Sequence, residues 1–252
     1  MTPPRLPYRR EPWLPPLPGA PAIALCDVSA GYAQGSAPAL GGVSVSVPVG
    51  ARFALVGHNG AGKSTLLKVI AGLLPVRAGT VALFGHPLGS GRHEVAYLPQ
   101  RADIDWRFPI TVRRLVLTGC YGKLGWLTRP GKDDQARAAA VIEQLGITDL
   151  AERQIGRLSG GQQQRALIAR ALVQDARLLL LDEPLGAVDA ETRSVIAAVL
   201  DELRRSGTTV VVATHELGRS EADFDGVLFL HEGHLAALPE VEAHAHEHGR
   251  SA

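Results

Sequence analysis

The run Gly57-His58-Asn59-Gly60-Ala61-Gly62-Lys63-Ser64, followed by Thr65, has the spacing G-x-x-x-x-G-K-[ST] in full. Glycines at these positions let backbone N–H groups turn inward around phosphates. A helix opening at Lys63 offers the same anion its positive end. The Lys63 ammonium is then placed to reach the β and γ phosphates of a nucleoside triphosphate, and the Ser64 hydroxyl to ligate Mg2+. A second run, Leu178-Leu179-Leu180-Leu181-Asp182-Glu183, ends an apolar strand in two acids. Ligands bind at the carboxyl ends of strands in open α/β sheets. Asp182 is placed for Mg2+, directly or through water, and Glu183 to polarise an attacking water as general base. In this order the two runs imply a nucleoside triphosphatase.

A third motif, Leu158-Ser159-Gly160-Gly161-Gln162, lies between them. Ser159 suits a helix N-cap ahead of a helix over Gln163–Val173, which makes the Ser-Gly-Gly entrance a second anion site.

The elements that must hold these motifs can be read from periodicity. Val43, Val45 and Val47 alternate with Ser44 and Ser46, as in a half-buried antiparallel strand. Arg52–Val56 reads as a buried strand running into Gly57. A helix is expected from Lys63 to about Leu74, with Leu66, Leu67, Ile70 and Leu73 on its apolar face. Val95–Leu98 forms a further strand running into Pro99-Gln100. From about Arg101 to Ser159 the pattern is helical, with helices at Val112–Leu117 and at Asp133–Leu145, the latter stopped by Gly146. Leu178–Leu181 and Thr209–Ala213 read as parallel strands buried on both faces, with helix Ala190–Arg205 between them. The expected fold is α/β: a P-loop ATPase core with an antiparallel β subdomain and an inserted α-helical subdomain.

With 252 residues, 46% of them hydrophobic, the chain can bury a sizeable core. Lys+Arg number 26 against 25 Asp+Glu, so no net charge draws it to nucleic acid or an acidic membrane, and no nucleic-acid partner is expected. Cys26 and Cys120 form no CxxC pattern, which suits a reducing cytoplasm, and each is expected to be a small packed residue. No apolar run approaches the roughly 18 residues of a spanning helix. Residues 1–21 hold eight of the 17 prolines and read as an extended or disordered leader. Residues 22–238 read as the folded domain, with the helical insert at about 101–159, and residues 239–252 as a polar, His-rich tail. In that tail His244, His246 and His248 either bind a divalent ion or are simply solvated.

From Ile23 to Leu238 the sequence resembles the ATP-binding-cassette family. The resemblance implies that Ser159, Gly160, Gly161 and Gln162 close over the γ-phosphate held by a second cassette, so that two ATP molecules are sandwiched in a head-to-tail dimer with a second copy of this chain. It further implies that Tyr32 stacks on adenine and that Gln100 senses Mg2+ while facing a membrane subunit. Asp189 would link the two sites across the dimer, and His215 would contact the γ-phosphate. Leu185-Gly186-Ala187-Val188 stands where many members carry Ser-Ala-Leu, while Asp189 is kept.

The run Arg101–Val112, with Asp105-Trp106-Arg107-Phe108-Pro109 at its centre, and the following Tyr121–Trp126 resemble the subgroup that imports manganese, zinc or iron. Trp106, Phe108 and Trp126 serve either as core of the insert or as a docking surface for a permease near Gln100 to Trp126. The implied setting is the cytoplasmic face of a membrane, with an extracytoplasmic metal-binding protein reached through the permease. The competing class is a soluble, non-transport cassette ATPase. A single cassette without sustained heptads favours the transporter.

Overall fold

The computed structural model describes residues 14–32, 37–89, 95–124, 128–186, 188–215 and 224–236. Its smaller sheet is antiparallel, in the order β2-β1-β4-β5: β1 Ile23–Ala30, β2 Leu40–Val47, β4 Val76–Leu83 and the two-residue β5 His86–Pro87. Val43 and Val47 are buried and Ser44 and Ser46 exposed, as the alternation requires. The larger sheet runs β10-β9-β3-β8-β7-β6, with β3 Arg52–Val56, β6 Val95–Leu98, β7 Leu178–Asp182, β8 Thr209–Thr214, β9 Gly226–His231 and β10 His234–Ala236. All its pairings are parallel except β9 with β10.

Both faces of the central strands are covered, which explains their unbroken apolar runs. Leu178, Leu180, Val211 and Ala213 pack with helix α1 (Lys63–Ile70) and the small sheet. Leu179, Leu181, Val210 and Val212 pack on the other side with the helical segment. That segment holds a 3-10 turn at Arg101–Asp103 and helices α2 (Val112–Thr118), α3 (Tyr121–Leu124), α4 (Lys132–Gln144) and α5 (Gly160–Leu172). Helix α6, Ala190–Arg205, coincides with its expected span.

Several expectations need correction. Helix α1 ends at Ile70, not near Leu74, because Gly72 adopts φ 72° and the Leu73 N–H turns back to the Lys68 carbonyl at 2.8 Å. Leu73 is 63% exposed instead of lying on the apolar face. Helix α5 starts at Gly160, three residues earlier than expected, because Ser159 is its N-cap. Cys120 is buried, but Cys26 is exposed and not packed. The described end of the leader is anchored: the Leu17 N–H donates to the Phe84 carbonyl at 3.0 Å, and the His86 ring meets the Pro15 carbonyl at 2.8 Å. The earlier leader residues, Trp126, Ala187 and the His-rich tail lie outside the described residues. No described helix is long and apolar enough to cross a membrane.

The helical segment has no core of its own. Val112, Ile142, Leu145 and Leu167 share one cluster with Leu179 and Leu181 of β7. Truncating Ile142 to Ala should therefore lower global stability by about 2–5 kcal/mol. Denaturant unfolding followed by circular dichroism and by tryptophan emission should give coincident transitions. A separate early melting of the insert would contradict the shared core.

Candidate functional site

The phosphate loop leaves the carboxyl end of β3 and enters α1 through two glycines that no other residue can replace. A Cβ on Gly57 would lie 2.3 Å from the Leu230 carbonyl oxygen. Gly62 caps α1 at φ 103°, and a Cβ there would lie 2.9 Å from the Ala39 carbonyl oxygen. Ala61, Lys63 and Thr65 are buried, whereas His58, Asn59 and Gly60 are exposed. Lys63 Nζ, on a side chain only 5% exposed, donates to the carbonyls of Gly57 (2.7 Å) and His58 (3.1 Å). It also lies 4.0 Å from Glu183 Oε1. The ammonium is thus held inside the loop, beside the acid.

Asp182 is 1% exposed at the end of β7. Burial pushes its pKa up, while hydrogen bonds from Ser64 and Tyr97 and the charge of Lys68 pull it back. Tyr97 Oη donates to Oδ2 at 3.3 Å, whereas Oδ1 has no hydrogen-bond partner. A buried carboxylate oxygen with a free lone pair, next to a serine hydroxyl, is a hard oxygen donor set that fits a small divalent cation. The register of β6 on β7, Leu98 against Leu181, brings Tyr97 here. Tyr97 was missed from the sequence, although a tyrosine on the otherwise apolar strand β6 was a signal that its hydroxyl needs a polar partner.

Glu183 follows in the left-handed region at φ 50°, a strained conformation for a side chain of its size. Its N–H donates to the Ala213 carbonyl at 3.0 Å, and its Oε2 accepts from Gln100 Nε2 at 2.8 Å. Thr214 pairs with Val56, so exposed His215 stands at the same edge as the loop and the acids. Tyr32 is 63% exposed, with Lys68 Nζ of α1 5.8 Å from its ring centroid.

The third motif forms a separate cluster. Ser159 Oγ accepts from the Gln162 N–H at 3.4 Å, and Gln162 Oε1 accepts from the Ser159 N–H at 3.0 Å, a reciprocal cap. Asp189 caps α6 through the Thr192 N–H at 2.7 Å, which holds its carboxyl below the usual range. The two motifs touch: a Cβ on Gly161 would lie 2.5 Å from Thr192 Oγ1 and 2.7 Å from Asp189 Oδ2. Arg165 extends the contact to Thr192 and Glu191, and Gln164 donates to the Pro184 carbonyl just beyond Glu183. Among the described residues no hydrogen bond or ion pair joins Ser159–Gln162 to the phosphate loop. The sequence-predicted residues therefore gather into two groups.

A glycine loop between strand and helix, a lysine within it and paired acids on a neighbouring strand define a P-loop nucleoside triphosphatase. Residues 40–186 match the ABC transporter family, and the chain belongs to it as an ATP-binding cassette, an ATPase coupled to transport. It is 47% identical over 227 residues, 90% of this chain and 85% of the relative, to the zinc transport system ATP-binding protein TroB of Treponema pallidum (strain Nichols). It is 42% identical over 217 residues, 86% of each chain, to the manganese transport system ATP-binding protein MntB of Bacillus subtilis (strain 168). A dimeric ATP-binding cassette solved in a post-hydrolysis state with ADP and phosphate bound superposes with a TM-score of 0.74. That structure is 25% identical, and the match covers 85% of this chain and 97% of the other.

The packing of Gly161 against Asp189 and Thr192 leaves no room for a methyl group. Gly161→Ala should destabilise the fold by about 1–3 kcal/mol and sharply lower ATPase activity. Gly122→Ala, in α3 with nothing within 4 Å of the new Cβ, should leave both unchanged. Thermal melts and phosphate release check the pair, and equal behaviour of the two variants would contradict the tight contact.

Proposed function

We propose that this cassette powers import of a divalent metal ion through a partner membrane permease, with manganese as first cargo and zinc or iron next. The observation that carries the proposal is that relatives matching 79–90% of the chain at 42–47% identity are named for zinc, manganese or other metal transport systems. In this reading residues 22–238 are the cassette. The protein is peripheral, at the cytoplasmic face of the membrane, and an extracytoplasmic metal-binding protein delivers cargo to the permease.

Within one protomer the loop N–H groups and Lys63 would hold the β and γ phosphates, and Tyr32 would stack on the adenine. Asp182 and Ser64, with Gln100 at hand, would hold Mg2+, whose charge offsets that of the phosphate oxygens when bound. Glu183 would accept the proton of the attacking water, with Gln100 orienting its carboxylate and His215 beside the γ-phosphate. The second group of residues supplies the other half of a shared site. Ser159, Gly160, Gly161 and Gln162 would meet the γ-phosphate of a second copy arranged head to tail, with Asp189 between the two sites. The separation of the two groups within one chain supports this reading.

The surface after Gln100 suits docking of a permease. Asp105 Oδ1 accepts from Arg107 N (3.1 Å) and Nε (3.2 Å), and these bonds hold its carboxyl below the ordinary range. The turn so stiffened separates the two aromatics. Trp106 packs against the core, while Phe108 is 60% exposed. Phe108 is therefore the docking candidate, and an aromatic anchor in a partner's groove can contribute about 2 kcal/mol or more.

Glu183→Gln should cut turnover by roughly 10²-fold or more while ATP still binds, and ATP should then trap a dimer. Unchanged hydrolysis would remove Glu183 from its role. For the cargo, cells lacking this chain should accumulate less manganese, most clearly when external manganese is scarce. Complementation with Phe108→Ala should fail to restore uptake although the purified variant keeps its ATPase activity. Normal manganese, zinc and iron uptake in the deletion strain would overturn the cargo assignment.

A further inference from the structure

Arg101 directly follows Gln100, but its side chain reaches in another direction, to α5. Its Nε and Nη2 both donate to Gln163 Oε1, at 3.0 and 2.7 Å. Gln163 is 5% exposed, and its Nε2 donates to the Ile155 carbonyl at 3.2 Å, so the buried amide is held at both ends. The Arg101 guanidinium lies 5.9 Å from the centroid of the Trp106 ring, whose Nε1 donates to the Arg101 carbonyl at 3.2 Å. A Cβ on Gly160 would lie 2.9 Å from Arg101 Nη1. One planar cation therefore rests against Gly160 and fastens Gln163, both in the helical turn that Ser159 caps. The rigid fork suits this double attachment better than a flexible ammonium would.

On the other side of the same peptide, Gln100 Nε2 holds Glu183 Oε2 at 2.8 Å. Two consecutive side chains thus join the acid beside the phosphate loop to the serine-capped turn. We propose that Arg101 is a positioning residue: through it, the loop whose Gln100 reads the chain's own nucleotide site sets the placement of Ser159-Gly160-Gly161-Gln162. The inference rests on the shared-site reading proposed above and adds the physical link between the two groups of residues. The loop and the first turn of α5 move as one body because the amide between them is buried and hydrogen-bonded through both its oxygen and its nitrogen.

The test uses the full chain carrying Glu183→Gln, with ATP and Mg2+. Monomer ATP affinity is measured by equilibrium binding at low protein concentration, and the dimer dissociation constant by sedimentation. Arg101→Met keeps the stem and removes the fork; monomer affinity should be unchanged and the dimer about 10-fold weaker. Gln163→Leu should reproduce that loss, and the double variant should be no worse than either single one. Arg101→Lys, which can still donate one hydrogen bond, should recover part of the dimerisation and serves if the methionine variant unfolds. With Glu183 restored, Arg101→Met should lower kcat and leave KM for ATP unaltered. Parental dimerisation in both Arg101 variants, or additive losses in the double variant, would overturn the proposal. Ser159→Arg in the same background separates the two ideas. If it blocks dimerisation while Arg101→Met does not, the shared site stands and the link fails. If it too dimerises normally, the shared-site reading itself has failed.

Discussion

A carboxylate set at the end of four consecutive leucines is the constraint around which this molecule is organised. Asp182 is almost wholly withdrawn from water, and an ionised group in that position loses hydration that its surroundings must replace. Tyr97 and Ser64 replace part of it, and Oδ1 is left with nothing. The strand that carries the acid must be flanked on both edges and covered on both faces. Its flanking strands, β6 and β8, deliver Tyr97 and Gln100 from one side and Thr214 and His215 from the other. The strain at Glu183 follows from the same demand, since the chain must turn sharply to set a second acid beside the first.

The glycine-rich turn at Ser159 is anchored independently of the phosphate loop. It heads a helix fixed to α6 through Arg165 and Thr192, to the segment after Glu183 through Gln164, and to the loop after Gln100 through Gln163. These attachments run to the edges of the catalytic strands and not to the phosphate loop. The arrangement gives one chain two capped or glycine-lined helix entrances, at Lys63 and at Gly160, that are not joined to each other among the described residues. In the shared-site reading proposed above, a second cassette brings them together, and their separation within one protomer is what that reading explains.

Motifs contiguous in sequence were legible because local geometry or local chemistry dictates their residues: glycines in the phosphate loop, two carboxylates ending β7 and the capped Ser-Gly-Gly turn. Alternation marked β2, and unbroken apolar runs marked β7 and β8, since each period reports directly on how many faces are covered. Side chains whose meaning lies in a distant partner were not legible. Tyr97 matters because of a strand register set 85 residues away, and Arg101 because of an amide on α5. The apolar stripe of α1 suggested a longer helix, yet a left-handed glycine at position 72 ended it and left Leu73 in solvent. Strands β9 and β10 carry weak alternation and went unnamed, although they frame the phosphate loop.

That framing bears on how the protein comes into being. Strand β3 lies between β8 and β9, both made long after it, and the Gly50 N–H finds its acceptor at Thr209, 159 residues further on. The Gly233 N–H closes onto the Ala61 carbonyl, and the Leu230 carbonyl abuts Gly57. During synthesis the phosphate cradle therefore emerges from the ribosome early but stays unbraced until nearly the last strand has docked. Such long-range closure slows folding. It also means that the cradle can take its final shape only after residues 226–236 have been made, with the parallel strands that precede them already available to pair.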